Sequence, residues 1–243
     1  MTVAEPPRYL DAGETALVVE FGTTIDEAVN DRVLELDAAL GSRQTAGVIE
    51  LVPTYRSLMI HYDPLRLSRA ALVSVVDEAL KDTRTAKSAK RLWTIPACYD
   101  PEFADDLGHV ATTVGLTPEA VVTAHASARY RVYMYGFAPG FAYLGGLPPV
   151  LKLPRRTSPR DRLPVGSLTI AAGQALISTV AMPSGWHILG RTPELLFVPG
   201  REPAFLVAVG DVITFERIDR ARFDALSLSA AQGELVSRVE ALP

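Results

Sequence analysis

The 243-residue sequence contains a single cysteine, Cys98, and has no long hydrophobic run. One cysteine excludes a disulfide within the chain and suits a reducing compartment such as the cytoplasm. No apolar run approaches the roughly 20 residues needed to span a bilayer, and the first residues lack the basic and apolar regions of a secretory signal. The formal net charge of −4 gives no general reason to expect nucleic-acid or membrane binding. We therefore expect a cytoplasmic protein.

Familiar catalytic and metal-binding patterns are also missing from the sequence. It has neither a G-x-S-x-G nucleophile elbow nor a G-x-x-x-x-G-K-[ST] phosphate loop. His61, His109, His125 and His187 are scattered without the paired spacing of metal ligands, so no metal site is predicted. Cys98 has no histidine or cationic partner in sequence, which favours a small buried side chain over a catalytic thiol. The pattern is more typical of one component of a complex than of a free-standing enzyme.

The first 80 residues predict a small α+β domain. Residues 16–21 form an apolar strand, and Asp26 or Thr24 can cap a helix whose apolar residues recur every three or four positions up to Leu40. Two further strands are predicted at 48–52 and 57–62, followed by a helix that begins at Ser68. The order β-α-β-β-α makes up most of the ferredoxin-like pattern. Because His61 alternates with apolar residues, it is predicted to be an ordinary strand residue.

A basic stretch, KDTRTAKSAKR at 81–91, interrupts the hydrophobic pattern. We interpret it as a solvated linker between domains, with a docking site for an acidic partner as the alternative. The predicted domains are therefore residues 1–86 and residues 87–243.

The second domain is predicted to be rich in β-strands. A strand at 92–97 contains Pro96, which suggests an edge or a bulge. Helices are predicted at 105–114 and from Thr117-Pro118 to about residue 126, before an aromatic strand at 130–135. His125, near the end of that second helix, is a candidate general base, ligand hook or helix cap. Further strands are predicted at 167–172, 176–179, 187–189, 194–198 and 212–217, and short helices at 219–228 and 233–242.

Residues 133–197 combine dense glycine and proline with arginine, and we interpret them as the segment around which the chain is organised. Glycine permits positive φ and proline locks φ, so the segment is predicted to form shaped loops and tight turns. Five arginines in the segment can grip carboxylate or phosphate in a fixed geometry: Arg155, Arg156, Arg160, Arg162 and Arg191. The pattern predicts a β scaffold whose loops form a polar pocket for an anionic or amide ligand.

Long segments of the chain resemble a known family. They are VVEFG near position 20, VPTYRSLMIHYDP at 52–64, IPACYDPEFADDL at 95–107, HASARYRVYMYGFAPGFAYLGGLP at 125–148, PRRTSPRDRLP at 154–164 and GWHILGRTP at 185–193. On these segments the chain resembles the family of allophanate hydrolase subunit 1, also called the B subunit of bacterial ATP-dependent 5-oxoprolinase. A sporulation kinase inhibitor belongs to the same family.

The resemblance implies an α+β fold in which a small ferredoxin-like N-terminal domain precedes a cyclophilin-like β-barrel domain. It also implies two partners. One is a second cyclophilin-like subunit, of the allophanate hydrolase subunit 2 type (the C subunit of 5-oxoprolinase), and the other is a LamB/YcsF-type protein (the A subunit). Together such proteins open the 5-oxoproline lactam to L-glutamate with ATP as the implied cofactor. The alternatives are a regulatory protein that inhibits a sensor histidine kinase and a subunit of an allophanate or urea-type amidohydrolase.

Candidate site residues follow from the chemistry that the resemblance implies. An unstrained lactam resists hydrolysis, so ATP coupling needs cations for phosphate and polar groups for the amide. The candidate catalytic residues are His125 as acid or base, Arg155, Arg160 and Arg191 for phosphate or carboxylate, and Gln174 for the lactam amide. The candidate substrate-binding residues are Phe141, Tyr143, Trp186 and Thr192. For the arginines, bracing of the loop through backbone carbonyls is the alternative, and for Trp186 it is core packing.

The chain departs from the family pattern at three positions. Ser178 and Thr179 stand where the family usually has tyrosine and proline, and Ser184 replaces a glycine of Pro-Gly-Gly-Trp. These departures bear more on the substrate than on the fold.

Overall fold

The structure is a computed structural model that describes residues 6–82 and 90–242. The chain divides into two compact units, residues 1–89 (unit 1) and 90–243 (unit 2). Most of the predicted linker and the predicted boundary between residues 86 and 87 lie outside the described residues, so both stay predictions. None of the helices in the described ranges is long and apolar enough to span a membrane.

Unit 1 confirms the predicted β-α-β-β-α order. Its elements are β1 (Arg8–Asp11), β2 (Ala16–Glu20), α1 (Glu27–Arg43), β3 (Val48–Pro53), β4 (Ser57–Tyr62) and α2 (Arg69–Asp82). Asp26 caps α1 by accepting from the backbone N–H groups of Ala28 and Val29. The antiparallel sheet has the order β1-β2-β4-β3, with the apolar sides of both helices in one core. Strand β1, which was not predicted from the sequence, forms a hairpin with β2 at the edge of the sheet.

Asp37 of α1 gives unit 1 a testable dependence on pH. Burial raises the pKa of its carboxyl to about 6, so folding favours the protonated form. This contribution to stability is complete below about pH 4 and is lost as the pH rises through 6. We predict that Asp37→Asn raises the free energy of unfolding by about 1–2 kcal/mol at pH 7.5, a figure discounted because the carboxyl is partly exposed. The gain should disappear at pH 4. Urea unfolding at both pH values measures it, and equal gains at the two would contradict this account.

Unit 2 contains a closed barrel of seven strands, which confirms the predicted cyclophilin-like β-barrel domain and the α+β class. Around the barrel the strands follow the order β12-β9-β10-β7-β6-β13-β5, and β5 pairs with β12 to close it. The elements of unit 2 are β5 (Arg91–Cys98), α3 (Leu107–Val114), α4 (Pro118–Ala126), β6 (Tyr130–Tyr135), β7 (Ala142–Gly145), a 3-10 turn (Pro149–Leu151), β8 (Arg160–Leu163), β9 (Ser167–Ala171), β10 (Gln174–Ile177), β11 (Met182–Ser184), β12 (His187–Arg191), β13 (Val212–Ile218), α5 (Arg220–Ala231) and β14 (Arg238–Ala241).

The barrel closes where strand β5 meets β12, and we call this closure the seam of the barrel. Strand β5 pairs in parallel with β13 from Leu92 opposite Val212 to Cys98 opposite Ile218. Its other edge pairs with β14 over Arg91–Thr94 and with β12 at Cys98. Pro96 lies between these two pairings, where the missing N–H costs no ladder hydrogen bond. Cys98 is fully buried, as predicted for a small packed side chain, and burial raises the pKa of its thiol.

Gly190 permits the close approach of β12 to β5. A Cβ placed on Gly190 would lie 2.5 Å from the carbonyl oxygen of Cys98 and 2.9 Å from the ring of Tyr99. The β12–β9 register also shifts between Ile188 and Gly190. Barrel closure therefore depends on a glycine at this position.

We predict that Gly190→Ala lowers the free energy of unfolding by about 1–3 kcal/mol, because the methyl group would overlap backbone atoms that cannot move without opening the seam. Gly108→Ala in α3 is the matched control. An added Cβ there has nothing within 4 Å, and the change should be neutral or stabilising by up to about 1 kcal/mol. Chemical denaturation measures both variants, and similar stabilities would contradict the closure argument.

Three local predictions for unit 2 were wrong or incomplete. Residues 233–242 were expected to form a helix, but they contain β14, which pairs with β5. The strand expected at 194–198 is absent apart from one isolated bridge between Phe197 and Phe205. The short strands β7, β8 and β11 were missed.

Candidate functional site

The candidate site lies on the face of the barrel wall that is turned away from the core. Along β7, β9 and β10, alternate side chains such as Leu144 and Ile170 enter the main core of unit 2. The intervening side chains lie on the opposite face and form a second apolar cluster. This outer-face cluster consists of Phe141, Ala171, Leu176 and Trp186, with Tyr143, Ala138 and Met182 packed against it.

The three aromatic residues predicted for substrate binding meet in this cluster. Phe141 and Tyr143 have ring centroids 5.3 Å apart in an edge-to-face arrangement. Phe141 and Trp186 are almost fully buried, whereas Tyr143 is half-buried. Gln174 begins β10 two residues before Leu176, so it lies on the same face and is also half-buried. The structure thus brings Phe141, Tyr143, Gln174 and Trp186 onto one surface.

Arg155 is the arginine that lies over this surface. Its guanidinium carbon is 5.8 Å from the centroid of the Trp186 ring, and the residue is exposed. Within residues 6–82 and 90–242, no carboxylate forms an ion pair with it. The backbone on both sides is fixed, because the carbonyl of Pro154 lies 3.0 Å from Nε2 of His187 and the N–H of Arg156 donates to Gly185 at 2.8 Å. Arg155 is therefore a positioned cation that can bind a carboxylate or phosphate.

Asp106 holds the loop that carries Arg155. Its buried carboxylate accepts from the side chains of Arg156 and Arg160, the latter at 2.5 Å, and from the N–H of Ile188 at 2.7 Å. Asp106 occupies the N-cap position of α3, yet its side chain makes no capping hydrogen bond to that helix. One carboxylate oxygen instead accepts from Arg156 and the other from Arg160 and from Ile188, so the carboxylate joins the 154–160 loop to β12.

Arg160 is correspondingly less available than predicted. Besides Asp106, it contacts the carboxylate of Asp105 at 2.9 Å, and its side chain is largely buried. The geometry favours a bracing role over direct contact with a ligand.

Arg191 and Thr192 also form hydrogen bonds with backbone groups of neighbouring loops. Arg191 donates from Nε to the carbonyl of Val165 at 2.9 Å, and its guanidinium lies 5.8 Å from the Phe103 ring centroid. Burial lowers the pKa of Arg191 from its ordinary value. Thr192 is buried, and its hydroxyl accepts from the N–H of Glu194 at 3.1 Å. Neither side chain joins the outer-face cluster, so the bracing interpretation suits both.

His125 lies in the core of unit 2, away from the outer-face cluster. It is 1% exposed, and its ring stacks on Phe215 with a centroid separation of 4.9 Å. Its Nδ1 shares a hydrogen bond with the hydroxyl of Tyr99 at 2.8 Å. Burial lowers the pKa of His125 to about 3, so the ring is neutral at physiological pH. This environment favours packing over the acid-base role considered from the sequence.

Two of the positions that depart from the family pattern anchor loops. The Ser178 hydroxyl donates to the carbonyl of Pro164 at 2.5 Å and accepts from the N–H of Ser167 at 2.8 Å. The Thr179 hydroxyl donates to the carbonyl of Pro139 at 2.6 Å. The two hydroxyls thereby anchor the loops that contain Pro164 and Pro139.

Asp106 and Phe137 were not among the residues predicted from the sequence. Asp106 was visible only as part of the ADDL run before a helix, where an aspartate normally signals a cap. Phe137 looked like one more member of a Gly-Pro loop, because the sequence does not show that its side chain is exposed. In the described part of the chain, no three His, Cys, Asp or Glu side chains are grouped so that they could hold a metal ion.

Comparison with known proteins gives consistent matches. Residues 7–207 match the family described as carboxyltransferase domain, subdomain C and D. The chain is similar to the B subunit of 5-oxoprolinase from Bacillus subtilis, with 36% identity over 224 residues that cover 88% of this chain and 93% of the relative. Among solved structures it is similar to TTHA0988, with a TM-score of 0.75, 36% identity and coverage of 84% of this chain and 40% of that chain. The K. lactis urea amidolyase has the same fold at 17% identity, with a TM-score of 0.77 and coverage of 100% of this chain and 17% of that chain.

Proposed function

Because this chain belongs to the carboxyltransferase subdomain C and D family and, within it, to the group of 5-oxoprolinase B subunits, we propose that it is the B subunit of an ATP-dependent 5-oxoprolinase. The observation that carries the proposal is the 36% identity to a protein of that name over nearly the full length of both chains. The proposed complex opens the 5-oxoproline lactam to L-glutamate.

In this proposal the outer-face cluster carries this chain's share of the substrate site. Arg155 binds the substrate carboxylate, because an exposed guanidinium fixed over Trp186 offers a preorganised fork of donors. Gln174 lies on the same face and can both donate to and accept from the lactam amide. Tyr143 provides the accessible edge of an apolar wall supported by Phe141 and Trp186.

The residues present fit ATP only in part. Arg155 is exposed, but Arg156 and Arg160 are already engaged by the Asp106 carboxylate. A triphosphate needs several cations at once. We therefore propose that the companion proteins supply most of the contacts to ATP. The proposed companions are the second cyclophilin-like subunit and the LamB/YcsF-type protein, in the cytoplasm.

Reconstitution tests the proposal. The chain is purified together with the second cyclophilin-like protein and the LamB/YcsF-type protein encoded beside it, and glutamate release from 5-oxoproline is followed with and without ATP. ATP-dependent release that requires all three proteins is expected. A well-formed complex that releases no glutamate would exclude this function.

A further inference from the structure

Phe137 stands at the tip of the loop 136–141 between β6 and β7, and it is 79% exposed. Its φ is +71°, and the N–H of Ala138 donates to the carbonyl of Gly136 across it at 2.9 Å. This combination marks a γ-turn of the rare and strained type. Glycine would adopt the turn readily. The chain therefore keeps an aromatic side chain where both backbone strain and exposure to water oppose it.

The loop around Phe137 is nonetheless firmly held. The N–H of Phe141 donates to Ala138 at 3.0 Å, and the Thr179 hydroxyl donates to Pro139 at 2.6 Å. Gly140 packs so closely that an added Cβ would lie 2.6 Å from the Cβ of Phe197. The exposed ring is therefore presented in a preorganised position, which reduces the entropy lost when it binds.

The surroundings of Phe137 are apolar and carry no charge along the sequence. Residues 132–151 contain no aspartate, glutamate, lysine or arginine. Phe197 connects the loop to a second exposed ring, Phe205, which is 39% exposed and lies 5.4 Å from Phe197 between centroids. Depletion of charge and enrichment of aromatic side chains are characteristic of the buried centre of a protein–protein interface. An anionic ligand or nucleic acid would instead require cations here.

We propose that Phe137 is the anchor by which the companion cyclophilin-like subunit docks, with the phenyl ring inserted into an apolar pocket of that companion. The inference rests on the proposed function. A protein occupant is favoured because the relative of B. subtilis is named as a subunit, and because in TTHA0988 the matched region is 40% of one longer chain. The Phe137 ring lies 5.5 Å from that of Phe141, a member of the outer-face cluster. A companion docked at Phe137 would therefore border the proposed substrate surface and could complete it.

Substitution of Phe137 by glycine separates docking from folding. The full-length chain and the second cyclophilin-like protein encoded beside it are used, and Kd is measured by biolayer interferometry. Phe137→Gly should weaken binding about 30-fold or more, mainly through faster dissociation, as expected for an aromatic interface anchor. The thermal midpoint of the isolated chain should stay the same or rise, because glycine relieves the turn. Leu228→Ala on α5, at a side chain that is 69% exposed, should leave both quantities unchanged.

The outcomes of this experiment distinguish the inference from the proposed function. If wild type binds tightly and Phe137→Gly binds within threefold of it, the anchor is excluded while the proposed function stands. A lowered thermal midpoint accompanying weaker binding would assign Phe137 to folding and overturn the inference. Failure of wild type to bind the companion would overturn both proposals. Binding of wild type, but not Phe137→Gly, to neutral phosphatidylcholine vesicles with companion binding unchanged would assign the ring to a membrane instead.

Discussion

Replacement of Arg155 by alanine is expected to lower kcat/KM for 5-oxoproline in the reconstituted complex by about 100-fold. The guanidinium is exposed, fixed over Trp186 and proposed to bind the substrate carboxylate. Loss of a hydrogen-bonded contact to a charged group costs about 2–3 kcal/mol, which corresponds to that factor. Steady-state kinetics of the assembled complex measure the effect, and most of the change should appear in KM.

Two further variants test whether the effect of Arg155→Ala comes from loss of the guanidinium group at this position. Arg155→Lys keeps the charge but loses the planar fork, so it should recover only part of the affinity. Arg222→Ala, at an exposed arginine of α5, should leave the kinetics unchanged. If Arg155→Ala turns over like wild type in an intact complex, the arginine has no role in substrate binding.

Replacement of Asp106 by alanine is expected to lower the free energy of unfolding by about 3 kcal/mol. The change removes the buried acceptor of Arg156, Arg160 and the N–H of Ile188, and it leaves two partly buried cations without that partner. Breaking a buried ion pair costs about 3–5 kcal/mol, and the partial exposure of both arginines places this case at the lower end. Chemical denaturation measures the loss.

The neighbouring residue supplies the control for Asp106. Asp105 is half-exposed, and among the described residues its carboxylate forms an ion pair with Arg160 alone, at 2.9 Å. Asp105→Ala should therefore cost no more than about 1 kcal/mol. Loss of a helix cap does not confound the comparison, because the Asp106 side chain makes no capping hydrogen bond. Equal losses from the two alanine variants would show that the carboxylate of Asp106 has no special role in holding the loop.

The parts of the fold that could be predicted are those whose signals are local. Asp26 and Thr117 cap helices as their positions indicated, and the alternating strand 57–62 was found because its periodicity lies within a few residues. The strand β14 was mistaken for a helix because it has only four residues, all exposed, and the alternation of Val239 and Ala241 with charged residues is too short to indicate a strand. Its conformation comes from pairing with β5, which lies far away in sequence.

In the candidate site, the sequence likewise indicated which types of residue are present but not the environment of each side chain. Aromatic and arginine residues in a Gly-Pro segment indicated a ligand surface, and Phe141, Tyr143 and Trp186 do meet. The sequence alone could not show that Arg155 is available to a ligand whereas Arg160 is not. Arg160 is engaged by the carboxylate of Asp106, which lies more than 50 residues before it in the chain. The sequence also could not show that His125 is enclosed by Phe215 and Tyr99. Burial and long-range partners, rather than residue type, decide these roles.

The position of β5 at the barrel seam also dictates an order of folding during synthesis. The strand pairings and the apolar core described for unit 1 join residues 8–80, so they can form once that part of the chain has been made. β5 leaves the ribosome soon afterwards, but its partners β13 and β14 follow more than 110 residues later. Pairings of such long range form slowly. We therefore expect unit 1 to fold during translation, whereas β5 stays without its β13 and β14 partners until residues 212–241 have been made.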